Sequence, residues 1–308
     1  MTRLRRKALL RTNLQLWLND ILLREGLYKN VATGETNYNG FDISAMIPVE
    51  DESYVQGQVW QSAFKNWVYE SGIPSPSSGV APPLVASGVT VNGTFYPEAT
   101  TSGAFAHDID FPNGRVVFQS PIPVGSVVQG EFSFKEVTVD FADSFDNERV
   151  DLLTETAFKD NPQQTGVQIY PDKRSRTLPA IWIDILRRDN SGHEIGSKSL
   201  ISDFTGIFHV WGRDSYLRDV VEDILADSER DVIIGIDFNN APFPLLSRGR
   251  RNPAWTNYAT VIQECQTIVP ENFYRRIYLE SLEPEKDSSL FEIERTRVNF
   301  VARIYPVY

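Results

Sequence analysis

The side chains with which this 308-residue chain could do acid–base, nucleophilic or metal chemistry are three histidines, one cysteine and 41 carboxylates. His107 is followed by Asp108 and Asp110, and His193 by Glu194, so each can be drawn as part of a metal site. Neither has the i, i+4 histidine pair, or the second Cys or His cluster, that makes metal binding specific. His209 stands between Phe208 and Val210 in a strand-like run and reads as a partly exposed sheet residue. The phosphate-cradling Gly-x-x-x-x-Gly-Lys-Ser/Thr and Gly-x-Gly-x-x-Gly loops and the Gly-x-Ser-x-Gly elbow do not occur in the sequence. A glycosidase needs two carboxyls ~5 to 10 Å apart across a cleft, which sequence spacing does not display. Cys265 has no partner for a disulfide and reads as a small buried apolar side chain. The expectation is a non-enzyme with no metal and no cofactor.

Charge and composition narrow the partners. A hydrophobic fraction of 41% and a charged fraction of 23% are those of a globular protein. The net charge of -11 argues against a protein whose work is gripping DNA, since phosphate binding relies on basic patches. The basic residues cluster at residues 3–7, at Lys173, Arg174 and Arg176, and at Arg248, Arg250 and Arg251. No apolar run reaches the ~18 residues of a membrane helix, and the leucines after the basic start are interrupted by Arg11, Asn13 and Gln15, which reads as no signal peptide.

Elements follow from periodicity. Residues 5–24 form an amphipathic helix with Leu10, Leu14, Trp17, Leu18, Ile21 and Leu22 on one side and Gly26 at its stop, a core or docking helix. Residues 30–40 are a turn-rich link, and residues 55–70 read as strands from their aromatic and β-branched density. Residues 71–88 are a Pro/Ser/Gly surface loop. Asn92-Gly93 lies between two β-prone runs, the strongest short hairpin signal, and Asn113-Gly114 repeats the device. Residues 127–139 then alternate, so that the stretch from 88 to 139 predicts a small sandwich or barrel.

The C-terminal half mixes helices and strands. Ile181, Ile183 and Ile185 alternate with Trp182, Asp184 and Leu186, then Asp189-Asn190-Ser191-Gly192 reads as a turn into a second strand at residues 206–212. Asp214-Ser215 offers an N-cap to a helix with Leu217, Val220, Val221, Ile224 and Leu225 on its apolar side, and residues 231–238 form a further strand. Residues 258–269 carry mixed signals. Residues 273–279 and 292–305 read as the last antiparallel strands, with Glu283-Pro284-Glu285-Lys286-Asp287 as the turn between them. Alternation in the last strand puts Arg295, Arg297, Asn299, Val301 and Arg303 on one face, either a subunit interface or a solvated sheet face. Arg295, Arg297, Arg303, Arg248, Arg250, Arg251 and Trp17 are the candidate interface residues.

Two segments resemble virion proteins of tailed bacteriophages. Phe208-His209-Val210-Trp211-Gly212-Arg213-Asp214 with the helix after it, and the last strand around Arg297 to Ile304, resemble tail-terminator and tail-completion proteins. Asp110-Phe111-Pro112-Asn113-Gly114-Arg115-Val116-Val117-Phe118, followed by Phe132-Ser133-Phe134-Lys135, is similar to a segment of phage virion structural proteins, and Trp60-Gln61-Ser62 and Asn66-Trp67-Val68-Tyr69-Glu70 upstream fit it. Asn113-Gly114 is nonetheless accounted for by turn geometry, and Arg115 by a neighbouring carboxylate or carbonyl.

The resemblance implies an α+β fold: an antiparallel sheet with flanking helices, a small all-β domain, sandwich or barrel-like, and an N-terminal helix. The expected domains are 1–54, helix and linker arm; 55–145, all-β; and 146–308, terminator-like. The implied function is a neck protein forming a ring, six-fold by the resemblance, that ends the tail tube or joins it to the head connector. Its partners would be further copies of itself, the tube and sheath or connector proteins, with genomic DNA passing through the lumen and no membrane. The protein would be made in the host cytoplasm and reside in the virion. The alternative is a carbohydrate- or receptor-binding virion protein using the β domain, where Trp60, Trp67, Tyr69, Phe95 and Tyr96 are concentrated.

Overall fold

The computed structural model describes residues 6–50, 54–98, 103, 105–142, 178–192, 200–212, 215–236, 238, 241–268, 274–286 and 294–305. The chain opens with helix α1 (Arg6–Arg24) and then lays down ten short strands. These are β1 (Tyr28–Val31), β2 (Ala45–Pro48), β3 (Val59–Ser62), β4 (Gly88–Val91), β5 (Thr94–Pro97), β6 (His107–Asp110), β7 (Arg115–Phe118), β8 (Val128–Gly130), β9 (Phe132–Lys135) and β10 (Thr138–Phe141). Two long strands follow, β11 (Ala180–Gly192) and β12 (Leu200–Gly212), then helix α2 (Ser215–Asp227), β13 (Val232–Ile236), helix α3 (Tyr258–Ile268), β14 (Tyr274–Lys286) and β15 (Glu294–Ile304). The fold is mixed α+β and mostly sheet, with curled antiparallel sheets and an N-terminal helix.

The β unit is a seven-stranded sheet in the order β5-β4-β8-β2-β3-β7-β6, every pair antiparallel. Asn92 and Gly93, both at positive φ, make the two-residue turn between β4 and β5 that the sequence signal predicts. The sheet curls until its two edges approach. Ile109 N on β6 donates to Glu98 Oε1 just beyond β5 at 3.3 Å, and the Tyr96 and Phe105 rings meet at 4.7 Å. The separate β1–β9 pair adds Val31, Phe132 and Phe134 to the same core. Trp67 stacks on Phe132 at 4.0 Å and Phe64 on Phe134 at 4.2 Å, so the aromatic density of this region forms the core.

The second sheet has the order β10-β11-β12-β15-β14-β13, with only the β10–β11 pair parallel. Ile181, Ile183, Phe208, Val298 and Phe300 share one core with Leu10, Leu14 and Leu18 of α1, Val221 and Leu225 of α2 and Val261 of α3. The helices therefore lie on one face of this sheet. Period-2 alternation gives the sheet its apolar face, and the helices cover it.

Several expectations are corrected. Asp189 to Gly192 continue β11 and pair with residues 200–203 of β12 instead of turning, and Glu283 to Lys286 continue β14 against residues 296–299 of β15. Turn-forming residues are held as strand here because one neighbouring strand supplies a complete ladder. Residues 258–268 are helical. In residues 55–70 only β3 is a regular strand, and residues 127–139 divide among β8, β9 and the start of β10. Helix α1 joins the six-stranded sheet, β1 and β2 join the β unit, and β10 joins β11. His193 and the cluster at Lys173, Arg174 and Arg176 lie outside the described residues, as does the side chain of Cys265.

Gly114 shows why the second Asn-Gly is needed. Its φ is +59°, and a Cβ built there would lie 2.0 Å from the Phe64 carbonyl oxygen, whereas the turn residue Gly93, at φ +82°, has nothing within 4 Å. Gly114→Ala should therefore cost about 3 kcal/mol, left-handed strain plus overpacking, and Gly93→Ala only about 1 kcal/mol. Urea unfolding followed by tryptophan fluorescence measures both, and equal losses would remove the close-approach explanation.

Candidate functional site

The arginines of β15 were the leading candidates, and the sheet register decides what each meets. Arg295 pairs across from Trp211, Arg297 from His209 and Arg303 from Asp203. Alternation along β15 is as expected, but Arg295 is only 7% exposed. Its guanidinium lies over the Trp211 ring at 4.9 Å and donates to His209 Nδ1, while Trp211 meets Trp182 edge-on at 6.5 Å. Stacking on indole suits the flat, weakly hydrated guanidinium. Arg303 is held by Asp203 at 2.7 Å and by Glu280 at 2.6 Å, from the strands on either side. Hydrogen bonding to Asp203, ahead of the other causes, raises its already high pKa. In-register neighbours on β12 and β14 thus engage both side chains.

Arg248, Arg250 and Arg251 lie on a loop that crosses the outside of β6. A short 3-10 turn, Ser247–Gly249, puts Arg248 at φ +63° with an exposed side chain. At Gly249 a Cβ would lie 2.3 Å from Asp110 Oδ1, so only glycine lets the loop approach, and Phe111 N donates to the Gly249 carbonyl at 3.1 Å. Arg250 pairs with Asp108 at 3.2 Å and Arg251 donates to Ser71 Oγ at 2.8 Å. Two of these arginines therefore fasten the loop to the β unit, and Arg248 is the one that faces solvent. Burial pushes the Asp110 and Glu98 carboxyls up.

Most of the remaining sequence candidates are buried. Trp17, proposed for docking, is 6% exposed inside the sheet core. His107 is fully buried against Phe118, with Nδ1 donating to the Phe105 carbonyl at 2.8 Å, and burial lowers its pKa. Arg115 donates to Gln61 Oε1 at 2.8 Å and sits across from Asp110, as its reading by neighbouring groups anticipated. Trp60 and Trp67 are buried, so of the aromatic set only Phe95, 54% exposed on edge strand β5, presents a free ring. Among the described residues no group of three or more His, Cys, Asp and Glu side chains is placed to hold a metal ion, and no helix is long and apolar enough to cross a membrane.

The charged site that sequence reading missed lies where the β unit meets α1. Lys135 at the end of β9 places Nζ 2.6 Å from Glu70 Oε1 and 3.1 Å from Asn19 Oδ1, and 4.4 Å from the centre of the Tyr69 ring. The ion pair is nearly dry, its side chains 9% and 5% exposed. The next residue of α1, Asp20, is 5% exposed and accepts from Arg24 Nε at 2.7 Å. Burial pushes the Asp20 carboxyl up against the pull of Arg24, and the Glu70 charge adds to the rise. The available signal was Lys135 itself, a charge in the otherwise buried run Phe132-Ser133-Phe134.

No family model and no curated protein sequence matches this chain. The functional reading rests on the residues and their geometry.

Two outcomes test the junction. Lys135→Met strands the Glu70 carboxylate and should destabilise the protein by about 3 kcal/mol, whereas Lys135→Met with Glu70→Leu should recover most of that loss in urea titrations. Asp20 has a raised folded pKa, so its ionised form opposes folding and the opposition fades as pH falls through that value. Asp20→Asn should then be more stabilising, relative to the parent, at pH 7 than at pH 3. The same difference at both pH values would show that the Asp20 charge is not disfavoured.

Proposed function

We propose that the protein is a structural subunit of a tailed-phage neck. Copies close into a ring that ends the tail tube or joins it to the head connector. The observation that carries this reading is the six-stranded sheet, whose helices gather on one face while the β11–β12 and β14–β15 hairpins run well past β10 and β13. Long hairpins anchored in a rigid sheet suit contact between neighbouring subunits. The β unit, fastened by the Arg250–Asp108 pair and the Lys135–Glu70 pair, adds a second rigid body on which tube, sheath or connector proteins dock. The mechanism is geometric: a head-to-tail contact repeated by rotation closes on itself. The segments that resemble terminator and virion proteins support the same reading. With its net charge of -11, the subunit suits a lumen that DNA traverses without being gripped. The virion is the corresponding location.

The ring is tested by the native mass of the purified protein from light scattering, with negative-stain images of any large species. Closed rings are the expected outcome. A monomer at every concentration, alone and with tail tubes, would remove this reading. The second reading, sugar or receptor binding through the β unit, has the exposed Phe95 in its favour. Binding on a glycan array that is lost in Phe95→Ala would establish it.

A further inference from the structure

Two lengths of the six-stranded sheet's edges have no strand beside them among the described residues. On its outer side β11 meets β10 only along Ala180 to Ile183, while its ladder with β12 continues to Gly192. Lys7 Nζ takes the Ile185 carbonyl, and residues 187–192 have no strand beside them among the described residues. On the opposite side β13 accompanies β14 only as far as Tyr278, and Leu279 bonds Arg230 and Asp231, while the ladder with β15 continues to Lys286. Residues 280–286 are the second such length. A strand edge of this length is a template for another strand.

The two edges fit each other. Three antiparallel steps separate β11 from β14, so the two strands run in opposite directions, and their free lengths lie at opposite ends of the sheet. A second copy laid alongside, its β14 against this β11, therefore continues the sheet antiparallel with a constant stagger. Stagger is what a sheet requires to close into a barrel.

Side chains select the register. Arg187 lies opposite Thr205, and Glu283 opposite Asn299, which places both on the sheet face away from the helices. The Arg187 side chain is 74% exposed and Glu283 is also exposed. Setting Arg187 against Glu283 brings Asp189 opposite Ser281, which avoids a like-charge pair. It also sets Leu186, 57% exposed, against the exposed Pro284. Proline has no N–H to give, and this pair falls at the end of the junction, beyond residues 187–190.

We propose that neighbouring copies join by β-strand addition, residues 280–283 of one extending the sheet at residues 187–190 of the next, with Arg187 and Glu283 paired across the junction. The proposal rests on the ring reading and names the contact that would build it.

The full-length chain tests it in two ways. In light scattering across a dilution series, Arg187→Glu or Glu283→Arg alone should weaken self-association about tenfold or more, and the double exchange should restore it. In a Cys265→Ser background, Asp189→Cys chains mixed with Ser281→Cys chains should form a mixed disulfide-linked pair on oxidation. Rings in the parent with neither rescue nor cross-link would overturn the strand-addition contact and leave the ring reading standing. Cross-linking and charge rescue in open filaments or dimers would support the contact while overturning the closed ring. A monomer that neither associates nor cross-links would overturn both.

Discussion

A lysine ammonium with almost no water around it, held between the Glu70 carboxylate, the Asn19 amide and the Tyr69 ring, governs how the β unit and the helical sheet meet. Each partner comes from a different stretch of chain: Lys135 from β9, Glu70 from the irregular segment beside it, and Asn19 from α1. A buried charge tolerates little displacement of its partners, because each lost hydrogen bond leaves an ion in a poor solvent. Around this point Leu23, Tyr28, Val68 and Ile73 form a small apolar cluster, and apolar contacts are less directional than an ion pair. The ion pair thereby ties the two modules together at this point.

The fold was legible where one local rule decided the outcome. Asn92-Gly93 needs two positive φ values in a two-residue turn, and the hairpin formed there. Leucine spacing named α1, and alternation of Val298, Phe300 and Ala302 against Arg297, Asn299 and Val301 named the two faces of β15. It was not legible where tertiary context overrode composition. Asp189-Asn190-Ser191-Gly192 and Glu283-Pro284-Glu285 carry turn chemistry, yet both extend strands with no neighbour on their other side among the described residues, a setting in which a strand tolerates such residues.

Burial was the harder quantity. Arg295 was placed on the correct face, but the sequence does not reveal that Trp211 and His209 would receive it, because cross-strand pairing joins residues 84 or more positions apart only once the register is set. The same holds for Arg250 and Asp108, whose separation in sequence is 142 residues. Trp17 reads as a docking residue on an isolated helix and as core once the sheet is beneath it. The polar junction escaped notice because no motif precedes it, only a lysine at the end of an aromatic strand.

The order of elements has a consequence for biosynthesis. Helix α1 leaves the ribosome first, yet the core that buries Leu10, Leu14 and Leu18 includes Val298, Phe300 and Ala302 from the last strand made. The β unit, encoded between them, can condense early around its own aromatic core. The helix must wait for nearly the whole chain. A nascent chain in that state carries an exposed leucine face tethered to a finished module, so yield should depend on the cell's capacity to shelter that face until β15 has been made.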